Sequence, residues 1–308
     1  MDAGPARGAW VGSGNIVTPK PSWFGERLRT ACVLGRISNL PTIVSNCFAG
    51  WLLGGGGGLP NFAWLCAGAA MLYTGGMFLN DAVDANWDRQ HRPERPIPAG
   101  RISRGRVYVE AVGLLAMGLL ALLVGGGRTA LPGLALVAAI VVYDLVHKQV
   151  VFAPLLMAGC RGLLYLTAAA AGAEGLTPSA LLGALAITGY VAGLSFLARH
   201  ESTERRTPRW PALLLPVPVV LALIARSDGL AFGTSTSAGI VFMLWTVWCL
   251  RWTVTKRSPD TGHCVSGLLA GIPLADGLAA TDGSWLVFAS FVGLFLLARG
   301  SQRFAPAT

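Results

Sequence analysis

Residues 61–103 read NFAWLCAGAAMLYTGGMFLNDAVDANWDRQHRPERPIPAGRIS. The first part, 61–79, is apolar or small and carries no charge, close to the ~20 residues an α-helix needs to cross the hydrocarbon core of a bilayer. At its end stand Asn80, Asp81, Asp84 and Asp88. At about 100° per helical residue these four oxygen-bearing side chains share an arc of roughly 100°. Three carboxylates that close repel one another at the edge of a membrane, so a cation is expected to compensate them. Carboxylates and an amide with room for water suit Mg²⁺, which typically takes one or two carboxylates and completes its shell with substrate phosphates. That chemistry points to a diphosphate. Arg89, Arg92 and Arg95 follow at once, and they would either neutralise the acids in a surface network or grip the outer phosphate oxygens as bidentate forks.

Working outward, similar apolar segments recur near 37–54, 107–124, 130–143, 150–171, 179–198, 211–225, 237–250, 264–280 and 285–298. The chain has 308 residues, 53% hydrophobic and only 13% charged, against about a quarter charged in soluble domains. The expected fold class is therefore all-α, a polytopic membrane protein of nine, possibly ten, transmembrane helices. Runs this long exclude a β-barrel, whose strands are shorter and alternate. The segment 264–280 carries Pro273 and Asp276 and reads either as a true span or as a broken, partly re-entrant helix. Residues 1–34 are expected to be a cytoplasmic N-terminal arm, 35–300 the membrane domain and 301–308 a tail. The arm lacks an apolar run followed by a small-residue cleavage site, so no cleavable signal peptide is expected.

The net charge of +9 is read as topogenic and not as a sign of nucleic acid. Basic residues crowd the arm (Arg7, Lys20, Arg27, Arg29, Arg36), the 89–106 loop and the loops near Lys148, Arg199–Arg209 and Arg251–Arg257, whereas the intervening turns are nearly uncharged. Alternation of that kind places the basic loops in the cytoplasm. The six cysteines stand singly and read as packing residues. The histidines have no metal-ligand spacing, and the glycine run 54–58 reads as a turn. Trp23, Trp210 and Trp252 read as interfacial anchors.

Three polar residues fall inside apolar runs. Arg161 lies in the middle of VFAPLLMAGCRGLLYL, where an isolated charge costs several kcal/mol. It would face a cavity, touching a diphosphate or polar acceptor, or pair with Glu110 or Asp276. Asn46 in the first apolar segment would be a pocket group or a helix-packing contact, and Asp276 an acceptor-side base or a packing hydrogen bond.

Asn80, Asp84 and Asp88 reproduce N-x-x-x-D-x-x-x-D, and RPERPIPAGRIS continues it as an Arg-Pro-rich loop. In both features the chain resembles the UbiA superfamily of intramembrane prenyltransferases, which often also has a Tyr and Lys pair after the fourth span, here Tyr143 and Lys148 of YDLVHK. The resemblance implies a helical bundle around a cavity open to lipid and a prenyl diphosphate donor. It implies Mg²⁺ on Asn80, Asp84 and Asp88 with Asp81 in support, and a lipophilic acceptor that traps an allylic cation. Arg92, Arg95 and Lys148 would grip phosphate. The expected setting is the bacterial inner membrane.

The family's second motif, D-x-x-x-D after the sixth span, is replaced here by SFLARHESTERR. Glu201 and Glu204 would hold the second metal subsite and Arg199 would contact phosphate, or Glu201 and Glu204 would simply pair with neighbouring arginines. The altered motif resembles the branch called EboC. Transferase, terpene cyclase and non-catalytic carrier of a prenylated or aromatic metabolite therefore all stand as readings.

Overall fold

A computed structural model describes residues 23–199, 210–225, 234–254, 260–281 and 283–304. Within the expected arm, WFGERLRTACVL forms a short helix, α1 (Trp23–Leu34). The apolar segments then form α2 (Leu40–Leu53), α3 (Leu59–His91), α4 (Arg104–Gly125), α5 (Ala130–Val146), α6 (Ala153–Ala170), α7 (Pro178–Ala198), α8 (Val217–Ala225), α9 (Thr234–Val254), α10 (Thr261–Ala270), α11 (Ile272–Ala280) and α12 (Trp285–Ser301). Among the described residues every regular element is helical. Among the described residues six stretches are long and apolar enough to cross a membrane: Leu59–His91, Arg104–Gly125, Gly127–Val146, Ala153–Ala170, Pro178–Ala198 and Thr261–Ala280. Large apolar side chains such as Val109, Val112, Leu120, Leu131, Leu286 and Leu296 face outward, as they do where lipid and not water is the solvent.

Small residues set how closely the helices approach. A Cβ on Gly50 would stand 2.4 Å from the Tyr165 carbonyl oxygen, and one on Gly54 would stand 2.3 Å from that of Ala169. Glycine at both positions, one turn apart on α2, lets its backbone touch that of α6.

The segment 261–280 crosses as a broken helix. Pro273 supplies no backbone N–H, and the chain kinks at Gly271 between α10 and α11. Carbonyls at the break are covered by neighbouring helices: Trp245 Nε1 on α9 donates to Gly267 O at 2.9 Å and Tyr190 Oη on α7 donates to Leu268 O at 2.8 Å. Irregular backbone at membrane depth requires that cover.

The apolar interior falls into two clusters. One is built mainly on α2 to α6 and the other on α7 and α9 to α12. Where they meet, at the end of the bundle that gathers the C-termini of α3, α5 and α7, lies a cavity. The connections at that end include the Arg-rich loop after α3 and the His147–Lys148 turn after α5. At the other end the nearly uncharged turns join: Glu174 N donates to Gly54 O at 2.8 Å, and Arg128 Nη1 donates to Ala173 O at 2.9 Å.

Candidate active site

Because α3 does not stop where the apolar run ends, its last turns carry the acid motif into the bundle. Asn80, Asp81, Asp84 and Asp88 are 7, 7, 5 and 1% exposed. The Pro-rich loop then folds back over them, closed by turns from Arg95 N to Arg92 O, 3.1 Å, and from Arg101 N to Pro96 O, 3.0 Å. Arg104 Nε donates to Ala82 O at 2.8 Å, which ties the start of α4 to α3. The fold-back delivers Arg95, whose Nη1 bridges Asp81 Oδ1 at 3.1 Å and Asp88 Oδ2 at 3.0 Å.

Asp84 turns toward the end of α5. Lys148 Nζ stands 3.1 Å from its Oδ2, with His147 Nε2 at 3.2 Å from the same oxygen. The ammonium also rests 3.8 Å above the Trp87 ring, and the imidazole stacks on Tyr143 at 5.1 Å between centroids. Asn80 Nδ2 donates to Asp144 Oδ1 at 3.1 Å. Two buried carboxylate oxygens, Asp88 Oδ1 and Asp144 Oδ2, have no hydrogen-bond partner among the described residues.

Four carboxylates therefore face two ion-paired side chains, Arg95 and Lys148, together with His147. Oxygen donors left over in an acid-rich pocket suit a hard divalent cation. Among the described residues no three carboxylate, imidazole or thiol groups converge as a closed metal shell. The set fits only an open shell, one or two protein oxygens completed by water or by phosphate, as Mg²⁺ prefers.

The cavity beside this wall measures about 430 Å³, within the 300–1,000 Å³ usual for ligand pockets. Its mouth is lined by Asn80, Asp84, Asp88 and Tyr143 together with five cationic side chains, Arg36, Arg92, Arg95, Lys148 and Arg199, and a sixth, Arg161, lines it deeper in the bundle. Its inner wall is apolar: Met77, Met157, Val191, Leu194, Leu269 and Ile272.

Several expected residues occupy other roles. Asp81 is bonded to Arg95 and is absent from the cavity lining. Asn46, expected to touch substrate, is fully buried behind the wall, because its amide is consumed between two intramembrane charges. Its Oδ1 accepts from Arg161 Nη1 at 2.7 Å while its Nδ2 donates to both Asp276 oxygens, at 3.0 and 2.8 Å. Arg161 also donates to Thr42 Oγ1 at 3.0 Å, and Ser45 Oγ donates to Asp276 Oδ2 at 2.5 Å. Glu110 pairs with Arg106 at 2.8 Å instead. Arg199 reaches the cavity rim, but its guanidinium donates to the Val150 and Val151 carbonyls in the α5–α6 connection. Glu201 and Glu204 lie outside the described residues.

Asp144 and His147 were missed by sequence reasoning, which took only Tyr143 and Lys148 from YDLVHK. The available signal was an acid at the foot of an otherwise apolar run, three residues before a histidine and hence on the same helical face.

Fold and cavity together define an integral membrane protein whose helical bundle encloses a mixed acid and base pocket. Residues 40–252 match the model of the UbiA prenyltransferase family, and the chain belongs to that family. Among curated relatives, the digeranylgeranylglyceryl phosphate synthase of Ignicoccus hospitalis is 39% identical over 100 residues, 32% of this chain and 33% of that protein. The match thus spans about a third of the relative's length. Among solved structures, a UbiA homologue from Aeropyrum pernix K1 superposes with a TM-score of 0.62 at 14% identity, covering 77% of this chain and 94% of the other. A structure of digeranylgeranylglyceryl phosphate synthase gives a TM-score of 0.59 at 15% identity, covering 88% and 99%. At those identities the likeness is one of fold.

Proposed function

We propose that this protein transfers a prenyl group from a prenyl diphosphate to a lipophilic acceptor within the membrane. The observation that carries the reading is the polarity of one cavity. Its mouth combines Asn80, Asp84 and Asp88 with five cationic side chains, and its inner wall is mainly apolar, with Arg161 as the one charged group there among the described residues. An anionic head and a hydrocarbon tail match those two halves.

Asn80, Asp84 and Asp88 would hold Mg²⁺, which supplies charge neutralisation to the departing diphosphate when bound. Arg92 and Arg95 at the mouth hold phosphate oxygens, and Lys148 adds positive charge beside the carbon–oxygen bond that breaks. That bond's electron pair leaves with the diphosphate. The allylic carbon then bonds to the acceptor, which gives up a proton. Met157, Val191 and Leu194 keep water from the cationic carbon, which would otherwise become an alcohol. Preorganised cations aimed at developing phosphate charge form the largest contribution to such catalysis. By the positive-inside rule the mouth faces the cytoplasm. The curated relatives are named digeranylgeranylglyceryl phosphate synthases, for a product with geranylgeranyl chains, which supports a prenyl donor.

The test is Mg²⁺-dependent pyrophosphate release by detergent-purified protein given dimethylallyl, geranyl, farnesyl or geranylgeranyl diphosphate with membrane extract as acceptor. Wild type should release pyrophosphate, with Asp84→Asn and Asp84→Ala losing it by at least about a hundredfold. Release without an acceptor, yielding a terpene, points to cyclisation. Binding with no release points to a carrier.

A further inference from the structure

The six cations that line the cavity divide by what they already hold. Arg95 and Lys148 are paired with acids, Arg161 with Asn46 and Thr42, and Arg199 with two carbonyls. Arg36 and Arg92 line the same cavity, and neither guanidinium makes a hydrogen bond or ion pair with any described residue.

Arg36 is unusual in a second way. It is the sole non-glycine residue at positive φ among the described residues, with φ 43° and ψ 51°. It sits in the bend between α1 and α2, which is closed by Gly35 N to Ala31 O at 2.9 Å and Asn39 N to Arg36 O at 2.9 Å. Glycine is the usual occupant of the left-handed region. A glycine is present one residue earlier, but it is used where α1 meets α3: a Cβ there would lie 3.0 Å from Thr74 Cγ2. Arginine takes the strained position, and its side chain reaches the cavity wall. Strain of this kind persists where the surroundings hold it, and it gathers at ligand clamps.

We propose that Arg36 is a diphosphate-binding residue, forming with Arg92 a two-sided clamp on the anionic head of the donor. One fork comes from the α1–α2 bend and the other from the C-terminal end of α3. Planar guanidinium groups hold phosphate oxygens in bidentate fashion, and among the described residues these are the two lining cations whose donors are uncommitted. The inference rests on the transferase reading above and adds to it a residue outside both acidic motifs. Arg95 and Lys148 act on the phosphate while also paired with the acids.

The experiment uses Arg36→Gly, because glycine adopts φ 43° freely and the bend survives loss of the side chain. Geranylgeranyl diphosphate and inorganic pyrophosphate, each with Mg²⁺, are titrated calorimetrically into detergent-purified wild type, Arg36→Gly and Arg36→Lys. Where turnover is measured, kcat and KM are separated. Expected are a rise of about tenfold or more in Kd and KM for Arg36→Gly, kcat changed far less, unfolding temperature equal or higher, and an intermediate Kd for Arg36→Lys. A variant Kd equal to that of a wild type that binds overturns the clamp and leaves the transferase reading standing. A wild type that binds neither probe overturns both. Should Arg36→Gly unfold, Arg36→Gln, which keeps the stem without the charge, replaces it under the same criterion.

Discussion

The relay Arg161–Asn46–Asp276 gives a sharp test of how the bundle tolerates charge at membrane depth. In Asp276→Leu, Asn46 Nδ2 and Ser45 Oγ lose the carboxylate that now accepts from them. Arg161 keeps Asn46 and Thr42 but loses the only negative charge in its network. Hydrogen bonds to a charged group contribute about 1.5–3 kcal/mol each, and removing one partner of a buried pair costs about 3–5 kcal/mol. Because the two charges are joined through an amide and do not touch, the expected loss is near the lower figure, about 3 kcal/mol. At about 2–4 °C per kcal/mol for a large domain, unfolding in a fixed detergent should begin roughly 6–12 °C lower. Arg161→Met should cost a similar amount. The double variant Arg161→Met/Asp276→Leu removes both charges, so its loss should fall short of the sum by at least about 1.5 kcal/mol. Single effects that add to within about 0.5 kcal/mol would show that the two charges are independent and refute the relay.

Three other outcomes follow from the geometry. Asp88→Asn, on the cavity wall, should lower pyrophosphate release far more than Asp81→Asn, which touches Arg95 from outside the cavity; equal losses in a side-by-side assay would contradict this ordering. Gly50→Val drives a side chain into the Tyr165 carbonyl and should cost about 1–3 kcal/mol or more, whereas Gly113→Ala, with nothing within 4 Å, should gain about 0.5–1 kcal/mol; thermal melts of both variants check the pair. Arg104→Ala frees the Ala82 carbonyl and should destabilise by about 1–3 kcal/mol, with faster amide exchange in the 92–103 loop than in wild type.

The acid motif was legible because its geometry is local. Asn80, Asp84 and Asp88 are one helical turn apart, so spacing alone puts them on one face, and the loop that returns Arg95 begins only a few residues later. The all-helical class and the positions of the six long apolar helices were legible for the same reason, since an apolar run and its basic flank are read within one segment. What the sequence withheld depends on which helices become neighbours. Asn46 and Asp276 lie 230 residues apart, and nothing in either segment says that the asparagine faces a carboxylate and not a cavity. Asp144 carries no motif of its own in YDLVHK, and its role appears only once α5 docks on α3 and sets it against Asn80. Arg36 looked like one topogenic charge among five, since a left-handed backbone at a non-glycine residue has no sequence signature.

The broken span shows where those two kinds of information meet. Pro273 announces a missing N–H, which leaves a true span and a broken helix both open, and whether the segment crosses the membrane depends on what covers the carbonyls around it. Trp245 and Tyr190 supply side-chain donors to Gly267 and Leu268 from α9 and α7, beside the Gly271 N–H, and most residues of Thr261–Ala280 are buried. Lipid could not have provided those donors. The break is therefore tolerable only inside the bundle, and the same burial sets Asp276, five residues beyond the kink, against α2 and not against hydrocarbon. Two residues that look unfavourable when read singly, a mid-span proline and an intramembrane acid, are accommodated by one placement of α10 and α11.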